Sequence, residues 1–281
     1  MLGSVPEPAA APTLFREAGA VAPAEAPRVV VATEHARGPW DPGACHGGPV
    51  AAMLVRASSG VEPAEPDRWQ LARITVELVR PVPVGEPLTV AAELERPGRN
   101  VSLVAATLQD GAGRVVARSR ALRVRTAEVP LRGGHLPEPP FGPAGVGRVE
   151  RPSWSSEHLA FHNAAVEMRF VHGTFAAPGP VSAWMRVAVP LLPGSPLTGP
   201  ERAVATADFG NGVSSELDPD EFTYVNPDLT VHLLRAPRGE WIGMRSSSQY
   251  GPLGAGLAES ALFDADGRVG RSVQSLLVAA R

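Results

Sequence analysis

Lysine is absent from this 281-residue chain; all 26 basic residues are arginine. Lysine Schiff-base chemistry and a P-loop lysine are therefore excluded. Cysteine occurs once, at Cys45, which rules out an internal disulfide framework and a multi-cysteine metal site and suits a reducing cytosol. No run of about 18 apolar residues is available to span a bilayer. The first dozen residues have neither the positive start nor the apolar core of a secretory signal, so the expected location is cytoplasmic. Net charge is −3, which gives no basic field for nucleic acid or an acidic membrane. G-x-S-x-G does not occur, leaving a serine-nucleophile elbow unsupported. Seven histidines (His35, His46, His135, His158, His162, His172, His232) include no H-E-x-x-H pair, and no metal or organic cofactor is expected.

What is present suffices for a sizeable core. The apolar fraction is 44%, and the length suggests two domains or one large one. Strand-like, β-branched stretches lie at 27–33, 71–80, 88–95, 102–109 and 114–125. Between the first two, Pro- and Gly-rich turn residues 37–44 lead to His46-Gly47-Gly48-Pro49, which opens an apolar helix with proline near its first position. A Pro/Gly-rich linker is expected over 127–152. Beyond it the pattern returns: strands at 166–174 and 182–189, a helix, then strands to the C-terminus.

The recurrence is visible in the letters. Ile74 to Arg80 (ITVELVR) matches Leu229 to Arg235 (LTVHLLR) at an offset of 155, and Gly113-Arg114-Val115 matches Gly267-Arg268-Val269 at 154. Two copies of strand–helix–strands argue for a duplicated α+β unit with one helix against an antiparallel sheet in each half.

The second-half helix, expected over 201–216, carries Val204, Ala205, Asp208, Asn211 and Gly212 on one side at helical spacing. A carboxylate in that otherwise small, apolar stripe is costly unless paired. Asp208 is therefore a candidate for chemistry, or else a helix-terminal acid bonded to backbone amides. Gln274 shares a strand face with Leu276 and Val278, which turns a polar amide inward. Strict alternation puts Asn226 on the face opposite Leu229, Val231 and Leu233, away from Asp208, unless Pro227 interrupts the strand. Cys45 beside His46 is not read as a nucleophile–base pair, because adjacent side chains diverge.

The segments 37–57, 167–191, 205–215, 222–237 and 256–278 resemble the acyl-CoA thioesterase II-like proteins of actinobacteria, and the resemblance runs through both halves in order. It implies a double hotdog, two antiparallel sheets each wrapped around a central helix. Domains are then expected at 13–126 and 153–281. It also implies acyl-CoA hydrolysis by a water that an aspartate, a glutamine and a hydroxyl residue orient. By position these are Asp208, Gln274 and Asn226, the last an amide where the family has threonine or serine. His46, Gly47 and Gly48 are the expected substrate-binding residues, presenting helix N–H groups to the thioester carbonyl. Arg37, Arg80, Arg99 and Arg235 are available to the CoA phosphates. Ala51, Ala52, Ala205 and Ala207 either leave room for an acyl tunnel or permit close packing. A homodimer or higher homo-oligomer is the default assembly. The rival readings are a double-hotdog enoyl-CoA hydratase or dehydratase, whose usual histidine is missing after Asp208 on its helix, and a non-catalytic acyl-CoA-binding protein.

Overall fold

The computed structural model describes residues 11–19, 27–61, 68–130, 137–151 and 158–281. The first half contains β1 (Phe15–Glu17), β2 (Arg28–Ala32), α1 (Gly47–Gly60), β3 (Trp69–Leu78), β4 (Pro87–Arg96), β5 (Val101–Gln109) and β6 (Val115–Arg125). The second begins with β7 (Arg148–Val149), β8 (Val166–Thr174), β9 (Ala177–Val187), α2 (Gly199–Ala207) and α3 (Gly210–Val213). It ends with β10 (Phe222–Val225), β11 (Asp228–Leu233), β12 (Ile242–Tyr250), β13 (Ala255–Asp264) and β14 (Gly267–Ala280). Along β5, Ser102, Val104, Ala106 and Leu108 are buried while their neighbours are not. That period of two marks a sheet with one face on the core.

Where the resemblance implies two sheets, the strands form one. The 14-stranded sheet runs β1-β2-β4-β5-β6-β3-β11-β14-β13-β12-β9-β8-β7, with β10 also on β14. Its pairs are antiparallel, and the halves join edge to edge through β3 and β11. The order β2-β4-β5-β6-β3 is mirrored by β9-β12-β13-β14-β11, as a duplication requires. Thr75 stands opposite Thr230 at the junction, their Oγ1 atoms 3.2 Å apart and their numbers separated by 155. The repeat offset read from the letters is thus the pairing at the centre of the sheet, where an open edge in each half is closed by the other.

The two longer helices lie on the inner side of this sheet and pack on one another. From Val50 to Val55, α1 is buried at every position, as is α2 from Ala203 to Ala207. Such burial on all sides marks a helix that forms the centre of a core. The ends of the pair are tied by His46 to Asp208 and by Arg56 to Glu201, so the helices run antiparallel. Segments outside the repeats also dock on the second half. Leu14 and Phe15 donate backbone hydrogen bonds to Pro190 and Leu191. Within 137–151, Phe141 packs on Trp184 and Glu138 pairs with Arg245 and Arg268. Among the described residues no helix is long and apolar enough to cross a membrane.

Candidate active site

The second-half helix is shorter than its periodicity suggests. It starts at Gly199, with Pro200 in its first turn, and stops at Ala207; Asp208 is its C-cap, and α3 is a separate turn. Thr198 and Glu201 form the capping box that fixes the start: the Thr198 N–H donates to Glu201 Oε2 at 2.8 Å. The stop matters more, because it leaves the Asp208 carboxylate at the helix end instead of along its side.

Four polar groups converge on that carboxylate. Asn226 Nδ2 donates to Oδ1 at 2.8 Å and Gln274 Nε2 at 3.3 Å. His46 Nδ1 lies 2.8 Å from Oδ2. The Gly48 N–H is within reach of both His46 Nδ1, at 3.1 Å, and the carboxylate. The Gly48 N–H donates to His46 Nδ1, the cap of α1, while facing the carboxylate beside it. Asp208 is 5% exposed. Burial alone raises its pKa and is the largest single influence, but the charge and hydrogen bond of His46, with those from Asn226 and Gly48, outweigh it and hold the carboxyl below its usual value.

Each partner has a local reason to be there. Gln274 is fully used: its Nε2 also meets the Asp208 carbonyl at 3.2 Å, and its Oε1 accepts from the Asn211 N–H at 3.1 Å. Gly210 is what lets Gln274 sit so close, since a Cβ there would stand 2.6 Å from Oε1. Asn226 corrects the alternation argument. Asn226 and Pro227 fall between β10 and β11, and the ladder on β14 breaks there. Asp228 fills part of the break by accepting from the Ser275 N–H at 2.7 Å. Freed from the pleat, Asn226 turns inward and splits its amide between Asp208 and the Asp228 carbonyl.

Across the interface, Gly47 and Gly48 allow the start of α1 to touch the end of α2. A Cβ on Gly47 would lie 2.7 Å from Asp208 Oδ2 and 2.8 Å from Leu78, and one on Gly48 would fall on the Ala205 carbonyl. The structure thus brings all six expected site residues together. It gives His46 a position its sequence neighbours did not reveal, with its side chain as well as its backbone at the site. The ring packs against Phe161, 5.1 Å away, and Phe209, 4.6 Å away, which stack on each other at 5.5 Å. Phe161 belongs to a short π-helical turn, Phe161–Ala165, that sequence reading left unassigned. His162 of the same turn is buried, and desolvation, helped by the charge of His46, pushes its pKa down to about 4.

A cavity of about 450 Å³ opens here, in the range of small-molecule sites. His46, Gly47, Asp208 and Asn226 line it beside Val50, Leu78 and Phe209, with Trp40, Arg80, Phe175 and Leu277 also in its wall. Ala51, Ala52, Ala205 and Ala207 do not; all four are buried in the helix packing. Close packing, not a tunnel, is the use made of them. Among the candidate arginines, Arg235 forks onto fully buried Asp264 at 2.5 and 2.6 Å, and Arg37 donates to the Pro42 and Leu159 carbonyls. Arg99 is exposed in the turn after β4, which leaves Arg80 as the arginine at the cavity. Burial pushes the Cys45 thiol up to about 12, so it is a poor source of thiolate. Among the described residues no group of three or more His, Cys, Asp or Glu is placed to hold a metal ion.

Residues 36–124 match the family model described as the acyl-CoA thioesterase N-terminal domain, and residues 135–278 match the acyl-CoA thioesterase C-terminal domain. Solved structures resemble it over nearly their whole length. A candidate thioesterase II from Thermobifida fusca YX is 18% identical, with 90% of this chain and 92% of that one covered and a TM-score of 0.66. The acyl-CoA thioesterase II TesB2 of Mycobacterium marinum is 18% identical, with 85% and 91% covered and a TM-score of 0.62. A conserved protein of unknown function with a hot dog fold, from Alicyclobacillus acidocaldarius, is 17% identical, with 91% and 94% covered and a TM-score of 0.66. No curated protein matches the chain. The fold is a hotdog fold, and the chain is a thioester hydrolase. The chain belongs to the acyl-CoA thioesterase family.

Proposed function

We propose that this protein, a double hotdog with domains at 13–126 and 153–281, hydrolyses an acyl-CoA thioester to free acid and CoA using water activated at the Asp208 centre. The observation that carries this reading is the convergence of His46, Asn226, Gln274 and Gly48 on one buried carboxylate in the wall of a cavity. Asn226 stands where the family pattern has a hydroxyl, and its 2.8 Å bond to Asp208 supports an amide doing the same positioning. The thioester carbonyl lies at Gly47, where the first N–H groups of α1 polarise it. CoA leaves by the open side past Arg80, and the acyl group points to Val50, Leu78 and Phe209.

That inner end is shallow. Val50 lines it, but Met53 and Leu54, a turn further along α1, are buried and do not. One helical turn is roughly 5 Å, whereas the chain of a membrane lipid spans about 15 Å, half the bilayer core. A short, uncharged acyl group is the substrate this favours.

A hydratase acting on enoyl-CoA is a second reading with one observation behind it, namely the histidine that its chemistry pairs with aspartate, supplied here from the facing helix. One assay divides the readings. The purified protein is incubated with saturated acyl-CoAs of rising chain length and with an enoyl-CoA, while free thiol and enoyl absorbance are followed. The hydrolase reading expects thiol release, greatest for short chains. Loss of enoyl absorbance without thiol would replace it with the hydratase, and no reaction with any of them would leave an acyl-CoA-binding protein.

A further inference from the structure

Two residues of α1 line the cavity, Gly47 and Val50, and their spacing puts them on one face of the helix. Leu78, Phe209 and Val82 lie level with Gly47. Leu78 is pressed against it, since a Cβ on Gly47 would meet Leu78 Cδ1 at 2.8 Å, and the Leu78 N–H is tied to the Pro227 carbonyl beside Asn226. Phe209 follows Asp208 and packs on His46. The Val82 carbonyl accepts from the Cys45 N–H, just ahead of the helix. Trp40, Val79 and Leu277 are exposed at the rim. Val50 is the wall residue set further in.

The cavity stops there. Val50 is 0% exposed although it belongs to the wall, and the next turn of the same face holds Met53 and Leu54, 2% and 0% exposed and outside the wall. From Gly47 to Val50 the helix advances roughly 4.5 Å, under a third of the ~15 Å spanned by a membrane-lipid chain. Resting on the thioester-hydrolase reading, we infer that Val50 sets the acyl-chain limit: its isopropyl group is the floor on which the end of the acyl chain rests. A chain that ends at this floor buries each of its methylenes. A longer one has to displace Val50 into a close-packed core or leave methylenes at the rim, and either is unfavourable. The substrate class is a straight, unsubstituted acyl group of a few carbons.

The duplication shows that this floor is a choice of residue and not a demand of the frame. The position that corresponds to Val50 at the offset of 155 is Ala205 of α2, equally buried. A helix in this place therefore accommodates alanine. Behind Val50 the room would open toward Met53, whose unbranched side chain adapts to a new neighbour. One methylene more or less in an apolar pocket is worth about 10- to 200-fold in discrimination, so a change of floor is read directly in the chain-length profile.

The test is kcat/KM for thiol release from acetyl-, butanoyl-, hexanoyl- and octanoyl-CoA by the wild type, Val50→Ala and Val50→Ile. The wild type should show a drop of about tenfold or more at the first chain too long for the floor. Val50→Ala should move that drop to a longer chain, raising the long-to-short ratio about tenfold. Val50→Ile keeps the branched shape, adds one methylene and should move the drop to a shorter chain. Each ratio is taken within one preparation, so a loss of folded protein cancels, and the isoleucine variant carries the test if the alanine variant does not fold. A drop that stays in place in either folded variant, or a wild type with its highest kcat/KM for octanoyl-CoA, overturns the inference and leaves the hydrolase reading standing. Absence of thiol release by the wild type from every one of these substrates overturns the hydrolase reading, and the inference falls with it.

Discussion

At one end of the α1–α2 pair His46 meets Asp208 in a cavity wall; at the other Arg56 meets Glu201, and neither of these lines the cavity. The two ends are related by the duplication, since His46 and Glu201 are separated by the same 155 residues as the paired threonines. Both ends bury a carboxylate, and both satisfy it. Glu201 is 1% exposed and takes a forked pair of bonds from Arg56, 2.5 and 2.8 Å long, while Arg56 also reaches the Ser195 hydroxyl and the Pro196 carbonyl. The difference lies in the partner of the acid. A guanidinium never gives up its proton at working pH, and its bond to Glu201 pushes its pKa further up. An imidazole can give and take one. The duplicated frame thus carries a titratable imidazole opposite the acid at one end and a permanent guanidinium at the other.

The comparison can be broken at either end. The largest effect on stability is expected from Glu201→Ala, which leaves half-buried Arg56 without its acid and should cost up to about 3 kcal/mol. Denaturant unfolding would read it, and the folded fraction should retain hydrolysis. Gly47→Ala should do the opposite. The new Cβ, 2.7 Å from Asp208 Oδ2, displaces the carboxylate and should lower kcat/KM by up to about 100-fold, as ångström-scale misplacement does. Asn226→Ala removes one bond to Asp208 and should cost about 1–3 kcal/mol of stability for the unsatisfied group, together with part of the activity.

Acid should weaken the fold through the same residues. A carboxyl whose folded pKa lies below its unfolded value stabilises above the unfolded value, and this is lost as pH falls through the folded one. Asp208 and Asp264 are both lowered in this way, so stability should decline below about pH 4, and Asp208→Asn should flatten that decline. The smallest effect is expected from Gly60→Ala at the far end of α1. Nothing lies within 4 Å of the new methyl group, and the gain should be about 0.4–1 kcal/mol with activity unchanged.

Much of the architecture was legible in the letters because strands of five or more residues carry their own period. The repeat offset, the helix opened by His46-Gly47-Gly48 and the inward Gln274 all follow from local pattern. What was not legible depends on remote partners. β1 and β7, three and two residues long, have no period to read. The stripe over 201–216 predicted one helix because Asp208, Asn211 and Gly212 fit its spacing; Asp208, the C-cap, is bonded by Gln274 from β14 and by Asn226 from the break between β10 and β11. Asn226 was misdirected by alternation because Pro227 breaks the ladder. His46 appeared to be a helix-entry residue, and its partner is 162 positions away along the chain. No spacing rule reaches that far.

The most direct test pairs the two ends in one assay. Thiol release from a short acyl-CoA is measured for the wild type, Asp208→Asn and Glu201→Gln, each normalised to folded protein. The account predicts a fall of roughly 10²- to 10⁴-fold for Asp208→Asn and wild-type turnover per folded molecule for Glu201→Gln. Full activity in Asp208→Asn, or equal losses in both variants, would contradict it.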